Sequence, residues 1–253
     1  MASYLKRRDP APSGSIPDRL QMFGREVRFY REVAPSIGIR VPGCLRAEEY
    51  DDGSTFLALE DLSDWRPGVD AASGAALLGS LHLRWGIAAA VGKWPWLPRE
   101  DVSELVDDLF AASWPTIRER GDMTSDARTL GDSLVGRVTE AERLAESAGP
   151  WALVHGDASC DNMRTSPAGE IALLDWEDFG VGPGVCDLAW FLVSSVDPRD
   201  WDAAIRSYTG AGVLGHALPA AAVQGLLALA SEDEGSPDAA AWIARLAEAR
   251  RRS

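Results

Sequence analysis

No stretch of this 253-residue chain approaches the 18 consecutive apolar residues that a membrane-spanning helix needs, so no such helix is expected. The first residues, MASYLKRRDPAPSGS, have no apolar stretch behind their basic side chains, so a secretory signal is not expected there. Cysteine is scarce. Cys44, Cys160 and Cys186 are odd in number, widely spaced and without a zinc-ligand pattern, which points to neither a disulfide framework nor a cysteine metal site. Positive charge is also short: 25 Lys and Arg face 39 Asp and Glu, a net charge of −14 with three neutral histidines. Such a surface repels phosphate backbones and anionic bilayers, so neither nucleic acid nor membrane is an expected partner. A reduced, cytoplasmic setting is the expectation.

What the chain does have is a globular composition, 46% hydrophobic and 25% charged, on a length that bounds it at one to two domains. The charge is uneven. Residues 1–50 hold nine basic and six acidic side chains, and the remainder carries −17. A well-solvated acidic surface explains this as readily as a basic segment for an anionic ligand beside an acidic body for a cationic one.

Residues 3–8 read as a short strand, followed by a loop marked by Pro10, Pro12, Gly14 and Pro17. From Asp18 to about Ala34, Leu20, Phe23, Val27, Tyr30 and Val33 recur at three and four, which predicts an amphipathic helix with Asp18 as N-cap. By that periodicity Glu26 lies on the outer face if Phe23, Val27 and Tyr30 face the core. Strands over 43–50 and 54–60 flank an Asp51-Asp52-Gly53 turn. After Leu62 the pattern turns helical: 70–88, 101–119, 125–147, 184–196, 199–209, 216–230 and 237–251. Short buried strands interrupt it at 151–154 and 170–174. The expected organisation is a partly β front lobe over 1–62 and a helical lobe over 63–253, hinged near residues 60–65.

The chemistry concentrates in Val154-His155-Gly156-Asp157-Ala158-Ser159-Cys160-Asp161-Asn162 and Leu173-Leu174-Asp175-Trp176-Glu177. If the two strands are adjacent, Asp157, Asn162 and Asp175 meet in one small volume. Hard oxygen donors in a cleft suit Mg²⁺, which shares its remaining positions with water and substrate phosphates. Asp157 is placed to accept a proton from an attacking hydroxyl. Positioning, metal and one base suffice for phosphoryl transfer. A polar turn capping its own backbone is the plainer reading of Asp157 and Asn162, but it does not account for Asp175. A metal-dependent hydrolase built on His155 and Asp157 needs more ligands than this stretch supplies.

The pattern HGDxxxxN followed by D-W-E resembles the aminoglycoside phosphotransferase and choline kinase group of small-molecule kinases. Glu26-x-x-Phe29-Tyr30, Leu59-Glu60-Asp61-Leu62 and Leu81-His82-x-x-Trp85 are most similar to its ecdysteroid-kinase-like branch. The resemblance covers about residues 3–210. It implies an α+β, protein-kinase-like two-lobe fold with an N-terminally truncated small β lobe and a large, mainly helical lobe. It further implies ATP and Mg²⁺ as cofactors and a small molecule with a free hydroxyl as acceptor. Asp157 would be the catalytic base, with His155 orienting its loop; Asn162 and Asp175 would hold Mg²⁺. Lys6 would contact the α- and β-phosphates and pair with Glu26. Glu60, Asp61 and Leu62 would present backbone groups to adenine, and Asp187 would brace the catalytic loop. Asp161, Glu177 and Asp178 would contact the acceptor, with Trp176 as a wall. The −17 body favours a cationic acceptor such as an aminosugar or amino alcohol.

The pattern is incomplete at the front. Kinases of this fold have two strands and a phosphate-covering loop before the lysine strand, yet here the lysine stands at position 6. Gly180-Val181-Gly182-Pro183-Gly184 reads as no replacement, since it lacks a strand–turn–helix context. Three readings of the absence stand: a start placed too late, a catalytically impaired pseudokinase-like binding or regulatory module, or a second copy that covers the open edge as a homodimer.

Overall fold

The computed structural model describes residues 3–98 and 103–253. The front lobe consists of β1 (Ser3–Arg8), the short helices α1 (Ile16–Arg19) and α2 (Met22–Arg28), and the hairpin β2 (Cys44–Glu49) and β3 (Thr55–Glu60). Its sheet is antiparallel in the order β1-β3-β2, with Ser3 opposite Glu60 and Arg8 opposite Thr55. The hairpin closes at Asp51-Asp52-Gly53, where Gly53 takes φ +83° and Tyr50 N–H donates to the Ser54 carbonyl at 3.0 Å. The outer edge of β1 pairs with no strand among the described residues.

The helix expected over 18–34 is neither continuous nor capped by Asp18. Ser15 is the N-cap, its hydroxyl accepting from Asp18 N–H, while the Asp18 carboxylate turns back to Gly14 N–H at 2.7 Å. Gln21, at φ +51°, separates α1 from α2. Beyond Arg28 the chain widens into a π-helical turn over Phe29–Val33. Met22, Glu26, Phe29 and Val33, spaced at three and four, lie on one buried face together with Val27 and Tyr30. Local periodicity placed Glu26 outside because it does not register the partner that makes its burial tolerable, Lys6 of β1 at 2.8 Å.

The second lobe runs through β4 (Arg66–Pro67), α3 (Ala71–Arg84), α4 (Ile87–Lys93), α5 (Ser103–Arg118), α6 (Ser125–Leu134) and α7 (Val138–Glu146). It continues with β5 (Trp151–Val154), β6 (Met163–Thr165), β7 (Ile171–Leu173), β8 (Gly180–Pro183), α8 (Val185–Ser195), α9 (Trp201–Ser207), α10 (Leu214–Leu229) and α11 (Pro237–Arg252). The helix expected over 70–88 stops at Trp85, whose carbonyl accepts from Leu153 N–H at 2.8 Å, so the break is where β5 docks. The one expected over 125–147 is split at Gly136, φ +69°. Of the helix expected over 101–119, residues 101 and 102 lie outside the described residues. No helix among the described residues is long and apolar enough to cross a membrane. The result is a small antiparallel sheet lobe and a larger helical lobe.

Three strands escaped the sequence reading: β4, β6 and β8. The strands preceding Asp157 and Asp175 are not neighbours, because β5 pairs with β8 while β7 pairs with β6. Their loops meet through cross-links instead. Leu174 N–H donates to the Asn162 carbonyl, and His155 Nε2–H donates to the Leu174 carbonyl, each at 2.8 Å.

Candidate active site

The loop between β5 and β6 is fixed from below by Asp187 of α8. One carboxylate oxygen accepts from His155 N–H at 2.7 Å and from His82 Nε2–H at 3.0 Å; the other accepts from Gly156 N–H at 3.0 Å. Tyr208 completes the array by donating its hydroxyl to His82 Nδ1 at 2.9 Å. Burial alone would push the Asp187 carboxyl up, yet the donors from His82 and the His155 backbone outweigh it and hold it below the usual carboxylate range. Gly156 adopts φ +87°, and a side-chain carbon there would collide with the Asp178 carbonyl oxygen, so only glycine fits the bend.

His155 is fully buried. Its Nδ1 accepts from Asp157 N–H at 3.2 Å while Nε2 donates to Leu174, which fixes the ring tautomer. Both ring nitrogens of His155 are thus taken up inside the protein, which fits the role of orienting the loop that carries Asp157.

Asp157 is half-buried. Trp190 Nε1–H donates to its Oδ1 at 2.6 Å and Asn162 Nδ2 donates to its Oδ2 at 2.8 Å. Burial pushes its carboxyl above the usual range, with Asp175 adding to the push and the Trp190 and Asn162 donors opposing it. Asn162 Nδ2 also donates to the Asp157 carbonyl at 2.9 Å. Since both partners are acceptors, the amide orientation is set, and Asn162 Oδ1 is the atom left for a ligand.

Across the lobe boundary, Lys6 Nζ lies 2.8 Å from Glu26, 2.7 Å from Asp175 and 3.2 Å from Glu177. One ammonium thus faces three carboxylates. Burial disfavours its charge, but Glu26 and Asp175 outweigh that and raise the Lys6 pKa. The ammonium cannot neutralise all three partners, and burial pushes Glu26 up to about 7. Asp175 sits at φ +57°, a conformation uncommon outside glycine, and its Oδ1 is the atom bonded to Lys6. A cavity of about 300 Å³ opens beside this cluster, lined by Lys6, Glu26, Tyr30, Glu60, Leu62, Asn162 and Asp175.

The other expected residues fall in different places. Glu60 has its carboxylate on Arg40 at 2.6 Å and its N–H on the Gly43 carbonyl at 2.7 Å. Asp61 caps Ser63 N–H at 2.9 Å, and the Leu62 carbonyl accepts from Trp65 N–H at 3.0 Å. Asp161 is exposed and lines the cavity. Glu177 is bound by Arg8 at 2.9 Å as well as Lys6, so it belongs to the lysine cluster rather than to an acceptor surface. Trp176 is corrected outright: it is 0% exposed and stacks on Phe29 with centroids 4.2 Å apart, so it is core and no wall of a binding site. The Gly180–Gly184 segment does run from strand to helix, as β8 into α8. A side chain on Gly184 would collide with His82, so that glycine serves packing and not phosphate binding.

Asp178 is partly buried next to Asp157 and Glu177; burial first, then these charges, push its carboxyl up to about 7. Between pH about 4 and about 7 the folded protein keeps a proton there that the unfolded chain releases, so folding stability falls as pH rises through that window. Asp178→Asn removes the penalty. The variant should melt higher than the parent at pH 8 and lose that advantage at pH 4; an equal offset at both pH values would contradict the account.

Sequence reasoning missed Trp190, which lies one turn along α8 from Asp187. It also took Tyr30 for simple core, although its buried hydroxyl has no hydrogen-bond partner and the residue lines the cavity.

The model of the phosphotransferase enzyme family matches residues 5–223. The chain belongs to that family. The match does not single out the ecdysteroid-kinase-like branch. Among solved structures, a spectinomycin phosphotransferase in complex with ADP and spectinomycin is 12% identical with a TM-score of 0.56, covering 99% of this chain and 86% of that one. An aminoglycoside phosphotransferase from Alicyclobacillus acidocaldarius is 17% identical with a TM-score of 0.56, covering 98% and 83%. A choline/ethanolamine kinase family protein from Mesorhizobium loti is 16% identical with a TM-score of 0.56, covering 98% and 87%. At these identities the phosphotransferase family member shares their fold. No curated protein matches its sequence.

Proposed function

We propose that this phosphotransferase family member moves the γ-phosphoryl group of ATP to a hydroxyl of a small molecule, with Asp157 as the base. The observation that carries the reading is the convergence of Asn162, Asp175 and the Lys6–Glu26 pair on the lining of one cavity, with Asp157 hydrogen-bonded to Asn162 beside it. Lys6, charged and held by carboxylates, steers the α- and β-phosphates. Adenine takes backbone groups of residues 60–62 other than the Glu60 N–H and the Leu62 carbonyl, which are already bonded.

The donor set fits Mg²⁺: Asn162 Oδ1 and Asp175 Oδ2 are hard oxygens with no hydrogen bond among the described residues, both on residues lining the cavity. When bound, the ion would neutralise charge on the phosphates. Asp157 receives the proton that the acceptor hydroxyl loses as its oxygen bonds to phosphorus and the bond to the ADP oxygen breaks. A raised pKa makes it a better proton acceptor than an exposed aspartate. Trp190 and Asn162 hold the carboxylate in place for that step. The acidic second lobe supports an acceptor bearing an amine.

The test is thermal melting with ATP, with and without Mg²⁺. A nucleotide at 100 times its Kd stabilises the fold by about 2.7 kcal/mol, so ATP should raise the melting temperature only with Mg²⁺, and Lys6→Ala should abolish the shift. No shift at millimolar ATP and Mg²⁺ would favour the impaired, pseudokinase-like reading instead.

A further inference from the structure

Helix α11 lays two side chains beside the catalytic loop. Trp242 packs against Trp190 with ring centroids 6.0 Å apart, and Arg245 places its guanidinium carbon 4.7 Å over the Trp242 ring. Arg245 Nε donates to the Val193 carbonyl of α8 at 2.8 Å. Because Trp190 donates to Asp157, three successive contacts lead from that carboxylate to the guanidinium. Trp190, Trp242 and Arg245 are each only half-buried, so the ledge they form keeps one side open.

The charge on that ledge has carboxylates around it but no direct ion pair among the described residues. Among the described residues no carboxylate forms an ion pair with Arg245, whereas Arg120, Arg199, Arg250 and Arg252 each hold one. The charged groups around Arg245 are Asp238 on its own helix, Asp161 and the Cys160 thiol on the catalytic loop, and Asp197 before α9; none bonds it. Burial accordingly pulls its pKa down. In a chain with 39 acidic and 25 basic residues, a guanidinium held partly out of water with no anion on its terminal nitrogens is costly in isolation. It is also pre-organised: the Val193 bond and the indole fix its plane, leaving the Nη edge for a forked pair of hydrogen bonds.

We propose that the Trp190–Trp242–Arg245 ledge is the acceptor subsite and that Arg245 binds an anionic group, a carboxylate or a phosphate, on the acceptor. The inference rests on the phosphotransferase reading and names its substrate class. The indoles cover the acceptor's carbon skeleton, and its hydroxyl lies toward Asp157. An amine on the same molecule would be met by Asp161 and Asp197, so hydroxylated amino acids satisfy both the acidic lobe and Arg245.

The full chain with Mg²⁺ and ATP is assayed for ADP release against hydroxylated carboxylic acids, the methyl esters of the same compounds, and hydroxylated phosphate monoesters. Turnover is expected with acids or with phosphate monoesters, the two arms separating the sources, and not with the esters. Arg245→Gln should raise the acceptor KM about 10- to 100-fold, the worth of a charge-assisted hydrogen bond, with kcat and the KM for ATP little changed. Arg245→Lys should restore part of the loss. Arg137→Gln, which removes an exposed arginine paired with Glu140 on α7, should leave the kinetics unchanged. Equal turnover of acids and esters overturns the proposal, as does a lowered melting temperature in Arg245→Gln with an unchanged acceptor KM. Turnover confined to neutral or cationic acceptors overturns the Arg245 assignment alone; no ADP release with any hydroxyl compound overturns the phosphotransferase reading with it.

Discussion

Asp157→Asn should lower kcat for phosphoryl transfer by about 10²- to 10⁴-fold, the usual worth of a positioned general base. The amide oxygen can still accept from Trp190, but its NH₂ then faces the donating Nδ2 of Asn162. Loss of that single hydrogen bond costs about 1 kcal/mol, so melting should fall by only a few degrees. Lys6 and the residue 60–62 linker are untouched, and the KM for ATP should stay near that of the parent. Activity within about threefold of the parent would remove Asp157 from the base role.

The second large effect is structural. Asp187→Ala deletes the acceptor of three donors at once, His155 N–H, Gly156 N–H and His82 Nε2–H, two of them on buried residues. Breaking a buried charged network from one side costs about 3–5 kcal/mol. For a chain of this size that is a melting temperature lower by about 10 °C or more. Activity should fall further than stability accounts for, because the freed segment carries Asp157. The pH dependence has a definite sign. The depressed Asp187 pKa contributes stability that is present at neutral pH and disappears as pH falls through its folded value. The parent should therefore lose its advantage over Asp187→Ala in acid. A melting temperature within about 2 °C of the parent at pH 7 would contradict the brace.

Part of this site could be read from the sequence because it is built from short-range motifs. Asp157 and Asn162 are five residues apart on one loop, and Asp187 follows Asp175 at a spacing that a turn into a helix can close. The hairpin at Gly53 was readable for the same reason. What could not be read depends on the path of the backbone between motifs. Trp176 follows Asp175, and adjacency suggested a shared surface. The positive φ of Asp175 turns the chain so that the carboxylate meets Lys6 while the indole sinks onto Phe29. Glu177 was expected at the acceptor, but its partners come from β1, more than 160 residues away. The break at Trp85 and the burial of Glu26 likewise have tertiary causes, a docking strand and the Lys6 ammonium of β1, which periodicity does not register.

The most direct measurement is phosphorus NMR of the full chain incubated with ATP, Mg²⁺ and a panel of hydroxylated small molecules, beside Asp157→Asn as control. The account predicts a new phosphate monoester resonance appearing in step with ADP for at least one acceptor, and none above background for the variant. ADP accompanied only by inorganic phosphate, or the same monoester formed at the same rate by Asp157→Asn, would contradict it.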